Sequence, residues 1–290
     1  MDLGQIVGLT FQVSIAATVF GFGLSATRAD VEYVFRRPRL LIVSLLAMFV
    51  VMPVIALALE VYLDLPHAAR VALVVIALSP VPQLLPRTSI TSGGRATYAY
   101  GLAFAVASVS LALVPALVHF LGRVMSRPFE VPPGAVAEVL IPTVLGPLAA
   151  GMLAARLLPR VARRVQVPLV RVANLTLSLA LVLLLVSIVP AIGDAFDPRT
   201  LIAMTAFVAA GLAVGHVMGG PDPSDAVVLA IACTNRNPAI AISVATANFP
   251  SESFGPTVLV YALLVGVVTK PYITWQRRRL AAARPAEQGG

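Results

Sequence analysis

The chain is 290 residues long, 59% hydrophobic and only 12% charged, with a mean hydropathy of +0.92 and a net charge of +8. Soluble domains carry about 25% charged residues, so this composition excludes an ordinary soluble domain and points to one polytopic membrane domain. The basic residues, all arginine except Lys270, fall in short clusters between apolar segments, which argues for topology signals and against a nucleic-acid surface.

In chain order, the first apolar run has no basic region before it and no small-residue cleavage site after it, so it reads as a retained helix and not a leader. Spanning the hydrocarbon takes roughly 20 mostly apolar residues, and nine such segments can be marked: 6–24, 40–59, 71–91, 96–121, 136–158, 167–192, 201–218, 226–249 and 254–275. Pro38, Pro66, Pro128, Pro198 and Pro223 punctuate the junctions. Gly8, Gly21, Gly23, Gly146, Gly151, Gly211 and Gly215 are expected where helices approach closely.

The third and eighth segments are broken in the middle. One break reads Ser79-Pro80-Val81-Pro82-Gln83-Leu84-Leu85-Pro86-Arg87-Thr88 and the other Cys233-Thr234-Asn235-Arg236-Asn237-Pro238. Irregular backbone survives at membrane depth only where it is buried in protein or lines a wet cavity. A pair of interrupted helices in two halves of a chain marks the binding site of a secondary transporter. Each break carries one arginine, Arg87 or Arg236, and no Asp or Glu lies within segments 71–91, 96–121, 226–249 or 254–275 to pair with it. Two readings stay open for these guanidiniums: they bind an anionic substrate, or they hydrogen-bond the unwound carbonyls and lock the breaks together. Asn235, Asn237, Gln83, Thr88 and Thr234 supply neutral donors and acceptors beside them and complete the candidate substrate site, while Pro80, Pro82, Pro86 and Pro238 interrupt the helices. The lone Cys233 rules out an intramolecular disulfide, and His67, His119 and His216 have no metal-ligand spacing, so neither metal nor cofactor is expected. An intramembrane enzyme fails on inventory, since no His-Glu-x-x-His and no Gly-x-Ser-x-Gly occurs.

Several stretches together resemble the bile acid:sodium symporter family. They are Phe20-Gly21-Phe22-Gly23-Leu24-Ser25 with Ala29-Asp30, Arg37-Pro38, Met52-Pro53, Ser79-Pro80 with Gly93-Gly94-Arg95, and Asn237 with Ala247-Asn248-Phe249. The resemblance implies an all-α integral membrane fold of two inverted repeats, here nine transmembrane helices without the family's first helix. It implies a panel domain (segments near 6–24, 136–158 and 167–192) and a core domain (40–121 and 201–275), with the two broken helices crossing near the bilayer midplane. Residues 1–276 would form this single transporter domain and 277–290 a cytoplasmic tail. Pro86 and Pro238 at the crossover, with Asn237, are also similar to the auxin efflux carriers.

The family's sodium-ligand positions fall on Leu85, Pro86, Ala99, Ala103, Met48, Ala232 and Arg236, almost all apolar or cationic. Hard cations need oxygen ligands, so sodium coupling is not expected. The expectation is therefore an alternating-access carrier of a small organic anion in the cell membrane. Its partners would be that anion and membrane lipid, with no nucleic acid, and no residue pattern fixes an oligomeric state. A sodium-coupled symporter with a degenerate site, a channel or a sensory membrane module are the alternatives.

Orientation follows from charge. With the N-terminus outside, fifteen basic residues face the cytoplasm, among them Arg36, Arg37, Arg39, Arg160, Arg163 and Arg164, against four outside: Arg70, Arg123, Arg127 and Arg199. A reporter fused after Arg279 is expected to be active only in its cytoplasmic form; activity of a periplasm-specific reporter there would refute nine spans.

Overall fold

The computed structural model describes residues 3–79, 85–124, 134–188, 197–249, 252 and 254–287. All regular secondary structure among them is helical. Helix α1 (Leu3–Ser25) leads through the short α2 (Arg28–Phe35) to α3 (Pro38–Leu46), which a π-helical turn at Ala47–Val51 joins to α4 (Met52–Leu63). Next come α5 (His67–Ala77), α6 (Leu85–Thr91) and α7 (Ala96–Val124). Helix α8 (Ala135–Leu140) continues through a second π-helical turn, Ile141–Leu145, into α9 (Gly146–Leu157), and α10 (Pro159–Ile188) follows. The remaining helices are α11 (Pro198–Met218), α12 (Pro223–Thr234), α13 (Pro238–Asn248) and α14 (Gly255–Glu287).

Among the described residues, five stretches are long and apolar enough to cross a membrane: Pro38–Leu63, Ala96–Phe120, Ala137–Leu157, Pro198–Met218 and Gly255–Leu280. The protein is thus a multi-pass integral membrane protein, helical in all regular structure of its described residues. The two segments read as broken are each two shorter helices, α5 with α6 and α12 with α13. Helix α14 passes residue 277 without interruption, and Arg277 Nε donates to Thr91 O at the end of α6 (2.7 Å).

Packing divides around close helix approaches. Helix α1 lies against α9 and α10. Its Gly23 faces Gly151 of α9 so closely that a Cβ on Gly151 would stand 2.3 Å from Phe20 O and 2.8 Å from Gly23 Cα. Ser14 Oγ donates to Thr176 Oγ1 across α1 and α10 (2.8 Å). Helix α11 packs on α12 and α14, with Gly215 against the backbone of Ala230. The broken helices pack on each other, α5 against α13 and α6 against α12.

A charged knot around the buried Asp225 fixes the turn after α6. Gly93 adopts a left-handed φ of +92°, open to glycine at no steric cost, and brings Arg95 onto the start of α12. Arg95 N donates to Ser224 O (3.2 Å), and its guanidinium pairs with Asp225 (Nε–Oδ1 2.6 Å) and Asp222. The Asp225 carboxylate raises the Arg95 pKa, holding it charged. Tyr33 of α2 donates to Asp225 Oδ2 (3.4 Å), so the knot also anchors α2.

The glycine contacts generate a paired test. Gly151→Val overpacks the α1–α9 contact and is expected to cost about 1–3 kcal/mol, seen as a lower melting temperature in detergent. No atom lies within 4 Å of a Cβ built on Gly266 of α14, so Gly266→Ala is expected to be neutral or stabilising by up to about 1 kcal/mol.

Candidate functional site

The second break is built by local sequence. Pro238 cannot donate a backbone hydrogen bond and pushes the preceding residue out of the helical region, so α12 stops and α13 starts afresh with proline at its first position. Asn235 (φ −88°, ψ 114°) and Asn237 (φ −82°, ψ 105°) are extended. The Asn237 side chain caps α13, its Oδ1 accepting from Ala239 N (3.0 Å) and Ile240 N (3.2 Å). Asn237 N then donates to Ser79 O of the first break (2.9 Å), a main-chain bond that ties the two breaks together.

Ending α12 at Thr234 leaves carbonyls exposed at its C-terminus, the negative end of a helix dipole. Arg236, only 4% exposed, turns back onto them, donating from Nε to Cys233 O (3.1 Å). Its Nη1 donates to Met48 O (3.2 Å), from a different helix. That acceptor is free for a covalent reason. In the π-helical turn the Met52 N–H goes to Ala47 O, and the next residue, Pro53, has no N–H to offer Met48. Tyr261 OH donates to Thr234 O, and Asn235 Nδ2 donates to Ile231 O (3.1 Å). Thr234 Oγ1 donates back to Ala230 O and Ile231 O, both at 3.1 Å. Arg236 Nη2 and Asn237 Nδ2 are buried without a hydrogen-bond acceptor among the described residues. Met48, Leu85, Ala99, Ala103 and Ala232 are buried in the main hydrophobic core, each at most 5% exposed.

The structure separates the two arginines. Arg87, on α6, lines a cleft of about 560 Å³ whose other walls are α1, α7 and α10. The polar lining comes mainly from one face of α10, with Gln166, Arg171, Asn174 and Ser178 spread over about 18 Å of helix. Tyr100 of α7 and Phe22 and Ser25 of α1 complete it, and Gln166 Nε2 donates to Ser25 Oγ. The described lining holds two guanidiniums and no carboxylate. No ion pair among the described residues involves Arg87 or Arg171. By contrast, a second cavity of about 790 Å³ mixes Arg37 and Arg39 with Asp222 and Asp225. Toward the other end of α1, Leu140 and Val144 are buried in the main hydrophobic core, where α8 packs on α7 and α13.

Of the residues singled out from sequence, Arg87 reaches this cleft. Arg236, Asn237 and Thr234 are buried in the crossing, and Asn235 is half-buried at the end of α12. Thr88, also half-buried, lends its carbonyl to Ser92 Oγ (2.6 Å) and is not part of the cleft lining. Pro86 is buried at the start of α6 and Pro238 opens α13; Pro80, Pro82 and Gln83 lie outside the described residues. Sequence reasoning misses Arg171, which its place near a segment edge groups with the loop arginines. The available signal is a polar stripe, Arg171, Asn174 and Ser178 at i, i+3 and i+7 of an otherwise apolar run.

An all-helical membrane protein with two broken helices bonded to each other and a cationic cleft beside them has the build of a carrier. The sequence model of the Sodium Bile acid symporter family matches residues 13–194, well over half of the chain, and the protein belongs to that family. It is also 24% identical over 142 residues to the uncharacterized sodium-dependent transporter YocS of Bacillus subtilis (strain 168), a match covering 49% of this chain and 43% of that protein. The matched stretch therefore spans less than half of the relative's length.

The crossing makes a stability prediction. Arg236→Met removes the donor to Cys233 O and Met48 O and leaves both carbonyls buried, at an expected cost of about 2–4 kcal/mol. Arg87→Gln, at a partly exposed position on the cleft wall, is expected to leave the melting temperature within about 1–2 °C of wild type. Equal melting temperatures for the two variants would overturn this assignment.

Proposed function

We propose that the protein is a secondary transporter that moves a small organic anion by alternating access and does so without sodium. In this reading nine spans form a panel of α1, α8–α9 and α10, and the remaining helices form a core that carries the crossing. The N-terminus faces outside and the C-terminal arginines face the cytoplasm. The substrate binds in the cleft between panel and core, held by Arg87 from the core and Arg171 from the panel, with Gln166, Asn174, Ser178 and Tyr100 as neutral partners.

The observation that carries the anion reading is the charge of the cleft, two unpaired guanidiniums with no carboxylate among its described lining residues. A cation would meet uncompensated repulsion there, of the order of 4 kcal/mol at 4 Å and an effective dielectric of 20. Carboxylates and other oxyanions match the planar fork of arginine. Aliphatic and aromatic walls, from Phe22, Val167, Val170 and Leu175, favour an anion with an apolar body.

Arg236 supports the sodium part. A half-helix C-terminus and unwound carbonyls are what a transporter offers its coupling cation. Here a guanidinium already occupies those carbonyls, and the positions that match the family's sodium ligands carry the apolar side chains of Met48, Leu85, Pro86, Ala99, Ala103 and Ala232. Arg236 thus serves as a permanent internal cation, and its substrate-binding role passes to Arg171. The sodium dependence in the description of the relative from Bacillus subtilis favours the competing reading, a symporter with a reduced site.

Purified protein separates these readings. A bound ion stabilises by RT ln(1 + [L]/Kd), about 2.7 kcal/mol at a hundredfold excess over Kd. Replacing choline with sodium is expected to leave the melting temperature unchanged. Cholate, benzoate or succinate is expected to raise it, and Arg171→Gln to weaken that effect about ten- to a hundredfold in Kd. A sodium-specific rise in the wild-type protein would establish the symporter instead.

A further inference from the structure

We propose that the paired arginines of the cleft make this carrier an obligate exchanger, one that returns across the membrane only with an anion bound. The inference rests on the reading of the cleft as the anion site. Arg87 stands on α6, which packs on α7 and α12, while Arg171 stands on α10, which packs on α1 and α9. The two charges therefore belong to opposite walls, and any alternating-access step that shuts the cleft brings the walls together and drives out water.

Among the described residues, neither arginine has a carboxylate to shut against. None of the ion pairs among the described residues includes either side chain, and the described cleft lining contains no acid. Arginine cannot shed its proton to escape burial. An empty cleft that closed would bury two like charges, losing both their hydration and their mutual screening. An anion bridging Arg87 and Arg171 cancels both penalties, and two guanidiniums can share the oxygens of one carboxylate or of a dianion. In carriers that return empty, discharge of the substrate leaves a cleft that can close. Here discharge leaves a cleft that resists closing until another anion enters. A fixed Arg236 strengthens the effect, since no mobile cation leaves the crossing with the substrate to reset its charge.

The test uses full-length protein in liposomes, with potassium and valinomycin clamping the membrane potential. Binding is first read as the shift in melting temperature with benzoate, succinate and cholate. Labelled uptake of an anion that binds is then compared between vesicles preloaded with the same unlabelled anion and vesicles holding none. Preloaded vesicles are expected to take up label about a hundredfold faster, the factor by which burying the uncompensated charges depletes the closed empty state. Arg171→Gln, and independently Arg87→Gln on the opposite wall, are expected to bind more weakly but to bring the two rates within a few fold of each other. Equal rates in the wild-type protein, with binding intact, would overturn exchange and leave the anion site standing. Failure of all three anions to bind would overturn the anion site and exchange together.

Discussion

Everything in this fold is arranged around one requirement: backbone groups freed at a helix break must find partners inside the protein. At the second break that requirement is met by the Arg236 guanidinium. It ties Cys233 O at the end of one half-helix to Met48 O, a carbonyl that Pro53 leaves without a donor. The energetics favour this arrangement because the cation sits at the negative end of a helix dipole and on carbonyls that water cannot reach. The Asn237 N–H to Ser79 O bond then holds the two breaks in register. The Arg95 knot with Asp222 and Asp225 clamps the same helices farther along.

Beyond the crossing, the cleft is where guanidiniums face neither a helix C-terminus nor a carboxylate among the described lining residues. Arg236 is almost fully buried and surrounded by carbonyls, whereas Arg87 and Arg171 face a space of about 560 Å³ with neutral polar and apolar neighbours. In the proposed reading this division assigns architecture to one arginine and recognition to the other two. It also accounts for membership of a sodium symporter family by a chain whose residues at the family's sodium-ligand positions are apolar or cationic. In that reading the ion's electrostatic task has passed to a covalently attached cation.

The helical, multi-pass character and the two interruptions were legible in the sequence because they depend on local chemistry, apolar length and proline position. The cap that Asn237 gives α13 was not, because its amide reads from sequence as part of the substrate site. The breaks' arginines were legible as residues but not as roles, since sequence places Arg87 and Arg236 symmetrically while the fold buries one and leaves the other on a cleft wall. The partner of Arg236 could not be read at all. Met48 O is a main-chain atom, made available by a proline five residues later on a helix 188 residues away in sequence from the arginine. Arg171 escaped for another reason. It lies near a segment edge, where arginine ordinarily signals topology, and only the packing of α10 against α1 turns its polar stripe toward the cleft.

The claim that the crossing carries its own cation is tested most directly by removing that cation and offering a mobile one. Arg236→Gln leaves the carbonyls of Cys233 and Met48 in place and adds a neutral amide oxygen beside them. Its melting temperature should start below wild type in choline chloride and rise as sodium replaces choline, because a small cation can then fill the vacated position. A variant as stable as wild type and indifferent to sodium would show that the guanidinium does no electrostatic work at the crossing, and would contradict the assignment of Arg236 as a built-in cation.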